Sequence, residues 1–243
     1  MAEPEGSGLE LRRVSFRRGQ LAVLEGQSLK VPRGGTLVVT GSNGVGKSTL
    51  IQLCAGLLAP QQGRVLLSGT STRGTLPSTL MHRDVRRGCV FQQGGLVANL
   101  SALANVGLPL RYHADLLRLT ERVIDERARF CLGAVGVEGN DIHALPGRLS
   151  FGIRKRVAFA RAMALEPNFT FFDDPDAGLD HENAEVVHDI LISYRDDPTV
   201  TMVVATNHRT LLEVLDVPLY ELMDGRLVGY QDLVTTPPPR SLV

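Results

Sequence analysis

The sequence predicts an α/β fold: a parallel sheet with crossover helices, an N-terminal antiparallel β subdomain ahead of it, and an α-helical subdomain inserted in the middle. Three observations predict it. Short β-branched runs crowd the first forty residues, the apolar spacing becomes helical from about residue 96 to 165, and strand-like and helix-like segments alternate again from about residue 166. In order, "LELRRVSF", "LAVLEGQSLKV" and "GTLVVTG" read as three strands cut by "RRGQ" and "PRGG" turns. "KSTLIQLCAGLL", Lys47 to Leu58, reads as a helix that stops before Pro60 and Gly63. "RVLLSG" and "GCVFQQ" read as further strands. The helical stretch comprises "SALANVGLPL", "LLRLTERVIDERARFCLGAVG" and "GIRKRVAFARAMAL". "FTFFDD", "HENAEVVHDILISYR", "TVTMVVAT", "TLLEVLDV" and "LYELMDGRLVGY" then alternate as strand and helix, so both α/β stretches are expected to share one sheet. The tail "TTPPPRSLV" reads as an extended terminus.

The totals narrow the function classes. Lys plus Arg and Asp plus Glu are 26 each, so no global charge recommends nucleic acid or anionic lipid as the main partner. Cys54, Cys89 and Cys131 are odd in number, far apart and without CxxC spacing, which favours a reducing cytosol over a zinc or disulfide framework. No stretch is long and apolar enough for a membrane span, and "MAEPEGSGLELRR" lacks the apolar core of a secretory signal. Service to a membrane is therefore expected to run through another subunit.

"GSNGVGKST", Gly41 to Thr49, follows the strand "TLVVT" and opens a helix, the context in which GxxxxGK[ST] becomes a phosphate site and the fold a P-loop NTPase core. Glycines 41, 44 and 46 let backbone N–H groups, those of Ser42, Asn43 and Val45 among them, converge on phosphate oxygens. The helix N-terminus adds positive potential. Lys47 supplies a point charge, Ser48 a ligand for Mg²⁺, and Thr49 a second hydroxyl. A nucleotide also needs a magnesium partner and a group to activate water. "FTFFDDP", Phe169 to Pro175, is an apolar strand that ends in two carboxylates. Asp173 is assigned to the metal's water shell and Asp174, beyond the strand, to the water attacking the γ-phosphate.

These motifs, with "VFQ" ending at Gln92, "LSFGIRKRVAFARAMALEP" from Leu149 and "AGLD" ending at Asp180, resemble in their order the ATP-binding subunit of ABC transporters, from Leu9 to about Tyr230. The resemblance implies a single ATP-binding domain over 1–243. Residues 9–95 and 166–230 would form the α/β core with its β subdomain, 96–165 the helical subdomain, and 231–243 a proline-rich tail. It implies a head-to-tail dimer, a homodimer or a heterodimer with another ABC ATPase, with ATP held between subunits. Ser150 and the N–H of Gly152 would meet the γ-phosphate of the partner's ATP, with Asp180 nearby. Ser150 also reads as an ordinary helix N-cap, and both roles can hold. Gln92 would sense Mg²⁺ and water. A transmembrane permease would hold the chain at the inner face of the cell membrane. A narrower likeness, in "VSFRRGQ", "HRDVRRGCVFQQGGLVANLSALANVGLPLRYH" and "MALEPNFTFFDDP", is to the ATPases of Mla-type, Mce-associated phospholipid trafficking systems, which adds an Mce-like lipid-binding protein as a partner. Related lipoprotein exporters and other importers share parts of it. Residues Gly94 to His113 would then grip the permease.

Four positions depart from that pattern. Arg18 stands where an aromatic residue stacks on adenine; its guanidinium can stack too, or simply be solvated. Phe151 replaces the first glycine of the signature loop. Asp174 replaces a glutamate and is shorter by one methylene, about 1.5 Å. Counting back 17 residues from Asp224 places Asn207 where the switch histidine belongs, with His208 one residue late and facing the site only if an irregular turn rotates it inward; both stand as candidates for the catalytic role. Weak or absent hydrolysis with ATP binding retained is expected from the last two.

Overall fold

The computed structural model describes residues 7–75, 77–82 and 84–229, so the proline-rich tail lies outside the described residues. β1 (Ser7–Arg18) and β2 (Leu21–Pro32) pair antiparallel through the turn at Gly19, and β3 (Thr36–Thr40) leads into α1 (Lys47–Cys54). The expected continuation of α1 to Leu58 does not occur. Gly56 sits at φ 71, its N–H donates to the Leu53 carbonyl, and that of Leu57 reaches back to Gln52, a left-handed cap that closes the helix. Next come β4 (Gln62–Leu67), β5 (Thr70–Ser71), a short α2 (Pro77–His82) and β6 (Arg87–Val90). β6 stops just before the three residues "FQQ" expected in it, because Val90 is its last residue to find a partner, opposite Phe172.

The inserted helices are α3 (Ala102–Tyr112), α4 (Ala114–Leu117), α5 (Glu121–Ala134) and α6 (Phe151–Met163). Side-chain oxygens of Ser101, Thr120 and Ser150 cap the N-termini of α3, α5 and α6. Asn105, fully buried in α3, satisfies its amide on Val97, Leu100 and Ser101, which fixes the loop before the helix. β7 (Phe169–Asp173), α7 (His181–Asp196), β8 (Thr201–Ala205), α8 (Arg209–Leu215), β9 (Leu219–Met223) and β10 (Arg226–Gly229) complete the chain. Asp224 and Gly225, both at positive φ, make the tight turn between the last two strands.

Two sheets result. One is antiparallel with order β2-β1-β4-β5; the other has order β10-β9-β3-β8-β7-β6 and is parallel except for its last hairpin. Both α/β stretches do share the second sheet. Alternation along β7 splits its aromatics. Phe169 and Phe171 join the core formed with α1 and the antiparallel sheet, whereas Phe172 joins the core under the helical subdomain, stacked on Phe159 at 5.3 Å. Because β3, β7 and β8 run parallel, their C-terminal ends lie on one edge. That edge collects the phosphate loop, the paired acids and the Asn207 segment.

Candidate nucleotide site

The loop between β3 and α1 is shaped by two close approaches. Gly41 lies at φ 143, where a Cβ would come within 2.6 Å of the Leu222 carbonyl oxygen; Gly46 lies at φ 115, where one would meet Val23 at 2.8 Å. Only glycine fits both. Gly46 caps α1 without a side chain, so the first N–H groups of the helix stay free for an anion. Val45 turns its side chain into the core and offers the site only its backbone. Lys47, nearly buried, folds over the loop and donates to the carbonyls of Gly41 at 2.7 Å and Ser42 at 3.3 Å.

A cleft of about 370 Å³ brings Asn43, Gly44, Lys47, Ser48 and Thr49 together with Gln92 and Asp174, and Arg18 and Leu21 from the β1–β2 turn share its wall. Clefts of about 600 Å³ and 610 Å³ open elsewhere, and neither is lined by the Gly41–Thr49 loop. Asp173 ends β7 buried, and its Oδ1 has no hydrogen-bond partner among the described residues. Burial pushes its carboxyl above the usual range; the Ser48 hydroxyl, Lys155 and Lys47 oppose that, while the Asp174 charge adds to it. Asp174 turns at φ 43 and donates its N–H to the Ala205 carbonyl at 2.8 Å. The left-handed region tolerates aspartate better than most side chains.

Asn207 holds the loop itself. Its Oδ1 accepts from the Gly41 N–H at 3.1 Å, and its Nδ2 donates to the Gly41 carbonyl at 2.8 Å and to Asn43 Oδ1 at 3.5 Å. His208 points elsewhere. Its Nδ1 lies 2.8 Å from Asp176 Oδ2, the oxygen that His188 Nε2 also approaches at 3.0 Å. The chain therefore brings Asn207, and not His208, to the phosphate loop. Asn207→Ala is expected to weaken ATP binding about tenfold, since it strands a peptide group of the loop, whereas His208→Ala should leave affinity within about twofold. Calorimetric titration of the two variants side by side checks this.

Ser150, Gly152 and Asp180 are not on the wall of this cleft. Ser150 Oγ accepts from the Ile153 N–H at 3.2 Å; Asp180 caps α7 by accepting from the Asn183 N–H at 2.9 Å; Gly152 packs on the Asn183 side chain. Phe151 lies against Gly178, beneath the Arg154 guanidinium.

Sequence reasoning overlooked Leu21, the Asp176 pair of histidines, and Lys155. Lys155 is 1% exposed, and its Nζ donates to the carbonyls of Gln92 at 2.7 Å, Asp174 at 3.1 Å and Phe91 at 3.3 Å. Burial pushes its ammonium down to about 8, against the pull of Asp173, Asp174 and Asp176. A signal was present: Lys155 shares the buried stripe of α6 with Gly152, Phe159 and Ala162, an apolar place for a cation.

Comparison with known proteins agrees with this geometry. Residues 24–177 match the ABC transporter family model. The chain is 33% identical over 237 residues to the intermembrane phospholipid transport system ATP-binding protein MlaF of Escherichia coli K12, covering 96% of this chain and 86% of that one. It is 35% identical over 208 residues to the lipoprotein-releasing system ATP-binding protein LolD of Aquifex aeolicus, covering 85% and 90%. The structure superposes with a TM-score of 0.80 and 28% identity on the dimeric ATP-binding cassette MJ0796 in a post-hydrolysis state with ADP and Pi, over 90% of this chain and 96% of that one. With its phosphate loop, paired acids and inserted helices so disposed, the chain belongs to the ABC transporter family, as an ATP-binding subunit.

Proposed function

We propose that the chain, as one ATP-binding domain, clamps ATP and Mg²⁺ between itself and a second ABC ATPase, identical or different, and so drives a transmembrane permease in phospholipid trafficking, with slow hydrolysis. The observation that carries the cargo class is the 33% identity to MlaF across 96% of the chain. Dimerisation is supported by the dimeric cassette on which this fold superposes, and by the position of Ser150 and Gly152 at the start of α6, off the wall of their own cleft. Assignment to the inner face of the membrane rests on the permease; among the described residues no helix is long and apolar enough to cross a bilayer.

The residues present fit the metal. Ser48, the unpartnered Oδ1 of Asp173 and Gln92 are oxygen donors of the kind Mg²⁺ takes. When bound, it would neutralise charge on the β- and γ-phosphate oxygens. Asp174 is the group placed to accept the proton of the attacking water as the γ-phosphate leaves ADP. A second reading is a regulatory module that binds ATP, scarcely hydrolyses it, and pairs with a competent ATPase. It is favoured by Asn207, whose amide is already spent on Gly41.

The permease contact is assigned to the outer face of α3, where Tyr112 is 67% exposed and Leu108 39%, with Val97 of the preceding loop 37% exposed beside it. Apolar side chains so exposed on a helix whose other face is core mark a docking surface. Leu108→Arg with Tyr112→Ala is expected to abolish co-purification with a co-expressed permease while ATP affinity changes by less than about twofold, because a desolvated tyrosine at the centre of an interface is the kind of anchor worth about 2 kcal/mol or more. Retained co-purification would remove this surface from the proposal. An Mce-like lipid-binding protein is the further partner expected in the same pull-down.

A further inference from the structure

We propose that Lys155 is a positioning residue for the nucleotide reaction, joining Gln92 on one side of the site and Asp174 on the other to the helix that begins at Ser150. The inference rests on the ATP-binding reading and assigns this chain's own means of linking the cleft to the helical subdomain.

Lys155 has three donors and no acceptor, and three backbone carbonyls take them, those of Phe91, Gln92 and Asp174. These acceptors belong to segments 64, 63 and 19 residues away along the chain. Asp174 is thereby held from both sides, its carbonyl by Lys155 and its N–H by the Ala205 carbonyl, which sets the direction of a carboxylate on a left-handed backbone. The Gln92 side is held at two levels. Arg161, two turns along the same helix, donates to the carbonyls of Gly94 at 3.0 Å and Gly95 at 2.8 Å. α6 therefore grips the segment that leaves β6 for the helical subdomain, and through Lys155 alone of these two cations it also grips the acid.

Packing does not require a charge there. Taking an ammonium out of water is expensive, and a methionine of similar length would fill the volume without that cost. What the ammonium adds is the set of three links. A displacement of α6 is then shared by Gln92 and Asp174, and a change at either is felt at Ser150 and Gly152.

The chain contains no tryptophan, so Phe91→Trp provides a single emission reporter on the gripped segment. With this reporter, Mg·ATP is expected to change the emission. Adding Lys155→Met should leave the ATP dissociation constant within about threefold by calorimetry. It should remove most of the emission change and lower kcat about tenfold or more at unchanged KM, the cost of misplacing a catalytic group by about 1 Å. Lys155→Arg, which keeps charge and donors, should restore most of both. A full emission change and unaltered kcat in Lys155→Met would overturn the inference, as would a reporter that stays silent while ATP is bound. Should Lys155→Met not fold, Lys155→Gln is measured against the same two outcomes. Failure of the unsubstituted protein to bind ATP would instead defeat the nucleotide reading, and this inference with it.

Discussion

Lys47→Ala is expected to weaken ATP binding by a hundredfold or more. Two losses combine. The ammonium is the point charge of the loop, and truncating one member of a desolvated, hydrogen-bonded charge pair commonly costs about 2–5 kcal/mol, or roughly thirty- to several-thousandfold. In the absence of ligand the same Nζ also ties the Gly41 and Ser42 carbonyls together, so the variant loosens the frame that aims the N–H groups. Binding of ADP should fall less than binding of ATP, since the helix N-terminus still serves the remaining phosphates. Thermal unfolding separates the two losses: a Tm lowered by only a few degrees alongside a hundredfold weaker calorimetric affinity assigns the effect to the charge. Affinity within threefold of the parent would show that the loop does not hold a triphosphate in this protein.

Asp174→Glu is expected to raise the rate of phosphate release, by about tenfold or more with Mg·ATP. Restoring one methylene returns about 1.5 Å of reach, and a misplacement near 1 Å costs on the order of a hundredfold in a positioned step. Against this stands the backbone. Residue 174 sits at φ 43, where glutamate is less at ease than aspartate, by about 1 kcal/mol. That penalty lowers the stability of the resting protein and leaves the barrier from bound ATP largely untouched, so the gain in reach should prevail. Asp174→Asn should lower an already slow rate by about a further tenfold, since the short carboxylate still takes the proton. Rapid turnover by the parent, abolished in Asp174→Asn, would show instead that aspartate reaches the water as it stands. Asn207→His added to Asp174→Glu is expected to contribute less, because it forfeits the two-point hold on Gly41.

The α/β alternation, the inserted helices and the phosphate loop were legible because each is a local pattern. A β-branched run, a 3.6-residue apolar period or a glycine-lysine-hydroxyl cluster states its structure within a dozen residues. Where local signals compete, boundaries slipped: the apolar spacing of "KSTLIQLCAGLL" ran past Gly56, whose left-handed turn ended the helix at Cys54. The paired acids were placed at a strand end, but nothing near them told that Asp174 would turn to positive φ.

By itself, then, the sequence determined which segments form the sheet and which loop carries the phosphate-binding motif, and it placed a short acid and an asparagine at two positions of the candidate site. Only the tertiary structure decided how those groups are used. It closed Asn207 on Gly41 across 166 residues, turned His208 to the buried carboxylate of Asp176, and set Lys155 between Gln92 and Asp174. The physical reason is that a polar side chain takes whichever partner the fold leaves unsatisfied within about 3 Å, and that choice is made between strands and helices, after each has formed by its own local rules.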